Sequence, residues 1–205
     1  MEKQIWKPGN MLYPLPAVMV SCQRDGEKPN IITIAWAGTV CTNPAMVSIS
    51  IRPERYSYDI IKESGSFVIN LVTEELTYAM DYCGVKSGRD IDKFKEMKLT
   101  AVPAEYISAP MIGESPVSIE CQVEQILELG SHHMFLAKVL AVQVKKACLD
   151  EKERLLLNKT GLVTYSHGAY HRLGKKVGTF GYSVAKRSKD KKAVSKKKHA
   201  SGRRA

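Results

Sequence analysis

Apolar and polar positions alternate in short runs along most of the chain, and the runs are punctuated by turn residues. Val18 to Gln23 reads as a strand, RDGEKPN as a turn with Asp25-Gly26 at its tip, and Ile31 to Cys41 as the returning strand, which predicts a β-hairpin. Asn43-Pro44 interrupts the pattern. From Ala45 to Ile51 it resumes, with Ser48 and Ser50 on one face and Val47, Ile49 and Ile51 on the other. A helix is predicted over Ser57 to Lys62, a strand over Phe67 to Leu71, and a helix from near Thr73 that turns Leu76, Ala79 and Met80 inward. SGRDIDKFKEM reads as a shorter helix behind Ser87, because S-x-x-D is a capping-box variant that satisfies the first N–H groups. A strand near Leu99 to Val102 follows. Two long strands, Ser118 to Leu129 and His133 to Lys145, are joined by Gly130-Ser131-His132.

This makes six or seven strands and few helices, and so many strands in so short a chain must hide their edges. The expected architecture is therefore mainly β, a closed antiparallel barrel decorated by helices. Residues 147–185 carry no clear period: LDEKERLLL fits a short strand or a helix, and TYSHGAYHRLGKKVGTFGY reads as an ordered arm wrapping a neighbour. At 205 residues one core suffices, which predicts one domain over residues 1–184 and a tail over 185–205.

Charge changes the picture only at the end of the chain. Ten of the 31 Lys and Arg residues but only one of the 21 acids lie between Ala185 and Ala205, so the net charge of +10 belongs almost wholly to that stretch. It holds almost no large apolar residue to offset the entropy of ordering, and is expected to be a disordered, solvated tail. Adventitious binding to RNA or an anionic membrane is the sharper alternative for it, and it does not name the function. The five cysteines form no C-x-x-C and no ligand-like spacing with histidine, which argues against zinc and against a redox disulfide. Their odd number, with no signal peptide and no apolar run of membrane-spanning length, leads to the expectation of a cytoplasmic protein outside the membrane.

Three stretches carry candidate chemistry. Arg52 ends the third strand, Arg55 sits in the turn, and Ser57 lies where an N-cap belongs, ahead of Tyr58-Asp59-Ile60-Ile61. Exposed N–H groups at a helix start beside fixed positive charge form a seat for phosphate. A plain helix cap with solvated arginines fits the same residues. Thr33-Ile34-Ala35-Trp36-Ala37-Gly38-Thr39 puts Thr33, Ala35, Ala37 and Thr39 on one face, small residues that allow a flat ring to approach the backbone; barrel packing explains them almost as well. Asn30 and Cys41 stand at the ends of this run. Lys86-Ser87-Gly88-Arg89-Asp90-Ile91-Asp92-Lys93 joins a serine cap, a glycine and two cations as a second anion grip, or pairs its own charges on a solvated face. His167 and His171 are four apart, but His-Gly-Ala-Tyr-His lacks helix formers and a carboxylate ligand, so no metal site is expected. No G-x-G-x-x-G opens a βαβ unit, no phosphate-loop motif appears, and no serine–histidine–acid spacing stands out.

The residues from Pro29 to Asn70, with NIITIAWAG, AMVSISI and RPERYSYDIIKESGSFVINL, closely resemble the flavin reductase-like proteins of the FMN-binding split-barrel family, and in particular their flavoredoxin branch. The resemblance extends more weakly from about Leu12 to about Arg172. It implies a homodimeric antiparallel split barrel that holds FMN non-covalently. Arg52, Ser57, Arg89 and Lys93 would then neutralise the phosphate, and Thr33, Ala35, Trp36 and Ser50 would position the ring and ribityl chain. Ala37, Gly38, Ile51, Tyr56, Ser87 and Gly88 complete the implied cofactor site. From a partner chain, His167 and Tyr170 would line the flavin pocket. Electrons would come from NAD(P)H, docking over the flavin for want of a nucleotide domain of its own, or from a redox protein partner. No side chain is expected as acid or base, because the flavin itself takes the hydride. Three alternatives stay open: a carrier without NAD(P)H activity, a barrel that binds flavin or nucleic acid without turnover, and the pyridoxamine-phosphate oxidase-like branch, whose pattern these motifs do not match.

Overall fold

The computed structural model describes residues 1–185, and the chain divides into two units, Met1–Leu173 and Gly174–Ala205. The expected disordered tail, apart from Ala185, lies outside the described residues. The strands, in chain order, are β1 Leu15–Pro16, β2 Val18–Cys22, β3 Asn30–Ile34, β4 Ala37–Cys41, β5 Met46–Ile51, β6 Ser66–Leu71, β7 Ala101–Val102, β8 Met111–Ile112, β9 Val117–Glu128, β10 His133–Val144, β11 Val163–Ser166 and β12 Ala169–Arg172. Helix α1 spans Tyr56–Ser64, α2 Thr77–Val85 and α3 Lys93–Glu96.

Seven strands form one curled antiparallel sheet in the order β3-β2-β6-β9-β10-β5-β4. The predicted hairpin is its first edge, with Val18 opposite Ile34 and Cys22 opposite Asn30. In β5 the predicted alternation holds: Val47, Ile49 and Ile51 are buried and Ser48 and Ser50 are half-buried on the other face. The inner faces enclose Val18, Val20, Ile32, Ile49, Phe67 and Phe135, and Ile60 and Ile61 of α1 close this core. Each such side chain contributes about 1.5–3 kcal/mol by leaving water. A second core lies outside the sheet, where Leu76 just before α2, Met80 and Cys83 of α2 and Phe94 of α3 cover Met19 and Ile31.

Four expectations are corrected. The strand from Ile31 to Cys41 is two strands, because Ala35 and Trp36 form a bend that carries the chain from one edge of the sheet to the other. The Trp36 carbonyl accepts from Ser50 N at 2.8 Å and fixes that bend, so the single face predicted for Thr33, Ala35, Ala37 and Thr39 is broken in the middle. The edges β3 and β4 are not ladder partners, which leaves the curled sheet split between them rather than closed. The strand near Leu99 shrinks to β7 and pairs only with β8, outside the barrel. Ser87 caps no helix: α3 starts at Lys93, and Asp92 caps it by accepting from Lys95 N at 3.1 Å. Beyond β10 the chain returns as β11 and β12, which form a three-stranded sheet with β1.

Phe135 is fully buried whereas Leu129 is 62% exposed. Phe135→Ala is expected to cost about 3–5 kcal/mol in urea unfolding, and Leu129→Ala less than about 0.5 kcal/mol. Equal shifts in the two midpoints would contradict this core.

Candidate functional site

Where the sheet is split, two clefts open side by side and share Ile32 and Arg55. The first, about 350 Å³, runs from Ile32–Trp36 across Ser50–Arg52 to His132, with Tyr165 and Tyr170 on its rim. The second, about 290 Å³, lies between the start of α1 and the turn Lys86–Arg89, with Asn30 and Lys93 at its wall.

The second cleft concentrates cations. Arg55 is the N-cap of α1 and makes no side-chain cap. Ser57, expected as that cap, is instead inside the first turn, buried, and its Oγ accepts from Asn30 Nδ2 at 2.8 Å. Asn30 in turn explains Gly88, since a Cβ there would stand 2.1 Å from Asn30 Oδ1 and 2.9 Å from the Tyr56 ring. Ser87 Oγ accepts from Arg89 N at 3.2 Å, and the Arg89 guanidinium lies over Tyr56, 5.3 Å from the ring centre. Lys93, expected on a helix face one turn from Arg89, is the first residue of α3 and points inward. It is 3% exposed, and its Nζ donates to the Ile31 and Cys83 carbonyls, both at 2.7 Å.

No carboxylate forms an ion pair with Lys93, Arg55 or Arg89 among the described residues. The thiols nearest Lys93 do not neutralise it: burial pushes Cys22 up to about 12 and Cys83 up to about 11, so both are neutral at pH 7. Burial also lowers the pKa of Lys93, and Arg55 adds to the effect. A buried charge without a counter-charge is costly, and carbonyl dipoles only partly offset that cost. A bound anion would complete the arrangement.

The first cleft is aromatic. Trp36 and His132 stack with ring centres 6.0 Å apart and planes 4° from parallel. Burial lowers the His132 pKa, and Arg52 and Arg55 push the same way against Glu54, so the imidazole is neutral at pH 7. The Thr33 hydroxyl donates to the Met80 carbonyl and ties β3 to α2. Tyr170 Oη donates to Asp81 at 2.7 Å; burial first, then that carboxylate, push its pKa up to about 12.

Of the expected site residues, Thr33, Ala35, Trp36, Ser50, Ile51 and Arg52 meet in the first cleft, and Tyr56, Ser57, Ser87, Gly88, Arg89 and Lys93 in the second. Ala37 and Gly38 fall past the bend and line a third cleft of about 460 Å³ under the segment Gly9–Leu15. Tyr170, expected from a partner, lines the first cleft of its own chain, while His167 packs edge-on against Tyr13, outside that cleft. Sequence reasoning misses His132: it stands at a hairpin tip with no local signal, and only the pairing of β10 with β5 carries it to Trp36.

A family profile, the flavin reductase like domain, matches residues 11–174. The chain belongs to the flavin reductase-like family. The barrel of this flavin reductase-like chain superposes on the flavoredoxin of Desulfovibrio vulgaris (Miyazaki F) with a TM-score of 0.83 and 30% identity, covering 90% of this chain and 100% of that one. A flavoredoxin from Methanosarcina acetivorans gives a TM-score of 0.80 at 25% identity over the same shares. In sequence the chain is 25% identical to an NADH-dependent FMN reductase of Streptomyces nodosus subsp. asukaensis, over 56% of this chain and 60% of that one. Among the described residues no helix is long and apolar enough to cross a membrane.

The buried ammonium leads to a pH test with a defined sign. Lys93 has a folded pKa below its ordinary value of 10.5, so between the two values the unfolded chain binds more protons and the parent gains stability as pH rises. The urea midpoint of the parent relative to Lys93→Met is therefore expected to rise from pH 7 towards 10.5, and phosphate to flatten that rise. A difference independent of pH would contradict the reading of Lys93 as a buried, unpaired cation.

Proposed function

We propose that the chain is an FMN-binding redox protein that takes electrons from NAD(P)H or a protein donor and passes them on. One observation carries this reading: a buried ammonium without a carboxylate partner, in a cleft whose other charged walls are Lys86, Arg55, Arg89 and the lone acid Glu54. The phosphate of FMN carries nearly two negative charges and three acceptor oxygens, which is the chemistry this donor set lacks.

Lys93, Arg89 and Ser57 of the cationic cleft, with Arg55 where it joins the aromatic one, are the groups proposed to hold the phosphate; Arg52, expected among them, lines the aromatic cleft instead, with Thr33, Ala35, Trp36 and Ser50, which are proposed to orient the ribityl chain and ring. When bound, the flavin supplies hydride and single-electron chemistry at its ring. The protein's own part is binding and exclusion of water. Trp36 and His132 wall the ring side with aromatic surface, and His132, kept neutral, adds no charge there. Similarity to the Streptomyces NADH-dependent FMN reductase supports NAD(P)H:flavin oxidoreductase activity. The closer structural likeness to flavoredoxins supports a second reading, an electron carrier that keeps its cofactor. A homodimer belongs to the same proposal, supported by apolar surface left exposed at Trp6, Val40, Leu140 and Val142. Residence in a reducing cytoplasm is supported by five free cysteines.

Titration of the purified protein with FMN and with riboflavin, followed by flavin fluorescence, tests the phosphate seat. Arg89→Ala is expected to weaken FMN binding about tenfold or more and to leave riboflavin within about twofold, as loss of one charge-assisted contact implies. Absence of FMN uptake at millimolar levels would refute the proposal. The two activities separate in an anaerobic spectrum: NADH bleaching the flavin band indicates the reductase, and a flavin that survives gel filtration and ignores NADH and NADPH indicates the carrier.

A further inference from the structure

We propose that Tyr58 is a positioning residue whose hydrogen bond to His133 braces the split in the barrel and so sets the spacing of the two clefts. The curled sheet ends in β3 on one side and β4 on the other, and no ladder joins them. Helix α1 packs on β2, β3 and β6, and two consecutive residues of its first turn are tied to the two halves of the sheet, one to the edge strand β3 and one to β10, two strands in from β4. Ser57 Oγ accepts from Asn30, the first residue of β3. Tyr58 Oη lies 2.7 Å from His133 Nδ1, at the start of β10, which pairs with Ile51 at the end of β5. Tyr58 is 5% exposed, and its ring packs edge-on against His133 at 5.3 Å and Phe135 at 5.4 Å, so the phenol is held for this contact.

The tie reaches both clefts through neighbours in sequence. Arg55, Tyr56 and Ser57, just before Tyr58, wall the cationic cleft. His132, just before His133, stacks on Trp36 in the aromatic cleft. By sequence pattern Tyr58 is one more apolar contact of a helix. Its hydroxyl adds a second role, because the bond keeps the cation-bearing helix start in register with the strand ends that carry Arg52 and His132. A buried hydroxyl with a single side-chain partner is sensitive to loss of that partner.

Tyr58→Phe keeps the ring and removes only the hydroxyl. Amide hydrogen exchange of the ligand-free protein is expected to rise about fivefold or more in residues 51–58 and 130–134, beyond any change in residues 67–70 of β6. His133→Leu should reproduce this, and His133→Asn, which places an acceptor oxygen near the Nδ1 position, should restore parent exchange. The ligand arm rests on the FMN reading: FMN affinity should fall about fivefold in Tyr58→Phe and recover in His133→Asn. Unchanged exchange in the two segments overturns the proposal, as does a His133→Asn variant as loose as His133→Leu. If the parent bound no FMN, the FMN reading alone would fail, and exchange would still decide the role of Tyr58.

Discussion

A single ammonium group organises the site: Lys93 Nζ, buried against two backbone carbonyls with no carboxylate to pair with. Placing a charge there costs the fold stability, and the surroundings deepen the imbalance, since Arg55 and Arg89 stand around the same cleft. The sheet around this ammonium is not closed. Its edge strands β3 and β4 are joined by the bend at Ala35 and Trp36 without a ladder, and the start of α1 and the turn before α3 wall the cleft beside β3 with cations. A site of this kind is stabilised by its ligand rather than by its own residues, a common feature of binding clefts.

The two clefts divide the work by chemistry. Cations gather on the side of β3, where the start of α1 and the turn Lys86–Arg89 converge, and aromatic side chains gather where β5, the tip of the β9–β10 hairpin and the β11–β12 hairpin meet. A ligand with a doubly charged end and a flat ring matches both halves at once.

Local signals are legible in the sequence and long-range ones are not. The β5 alternation, the β2–β3 hairpin and the inward face of α2 follow from period and turn chemistry, and the structure has them. Apolar patterning runs straight through Ala35 and Trp36, so the bend there is invisible locally; it is imposed by the need to carry the chain between sheet edges. The expected cap at Ser87 gives way to Asp92, five residues on, where α3 begins with Phe94 packed into the outer core, a long-range contact with no local signal. Lys93 reads as a surface grip because lysine usually is one, and its contact with Ile31, 62 residues away, has no sequence signature. His132 escapes sequence reasoning for the same reason, being placed by strand register rather than by motif.

Under the proposed FMN reading, phosphate binding and proton binding are coupled at this site. A dianion seated at Lys93 raises the depressed pKa of that ammonium, so FMN binding must take up protons wherever the ligand-free group is partly neutral. Calorimetric titration with FMN in buffers of different ionisation enthalpy, between about pH 8 and the ordinary lysine value, measures this directly. Net proton uptake in the parent, lost in Lys93→Met, is the expected result. FMN binding with no proton uptake at any pH in that range, or uptake that persists without Lys93, would contradict the account.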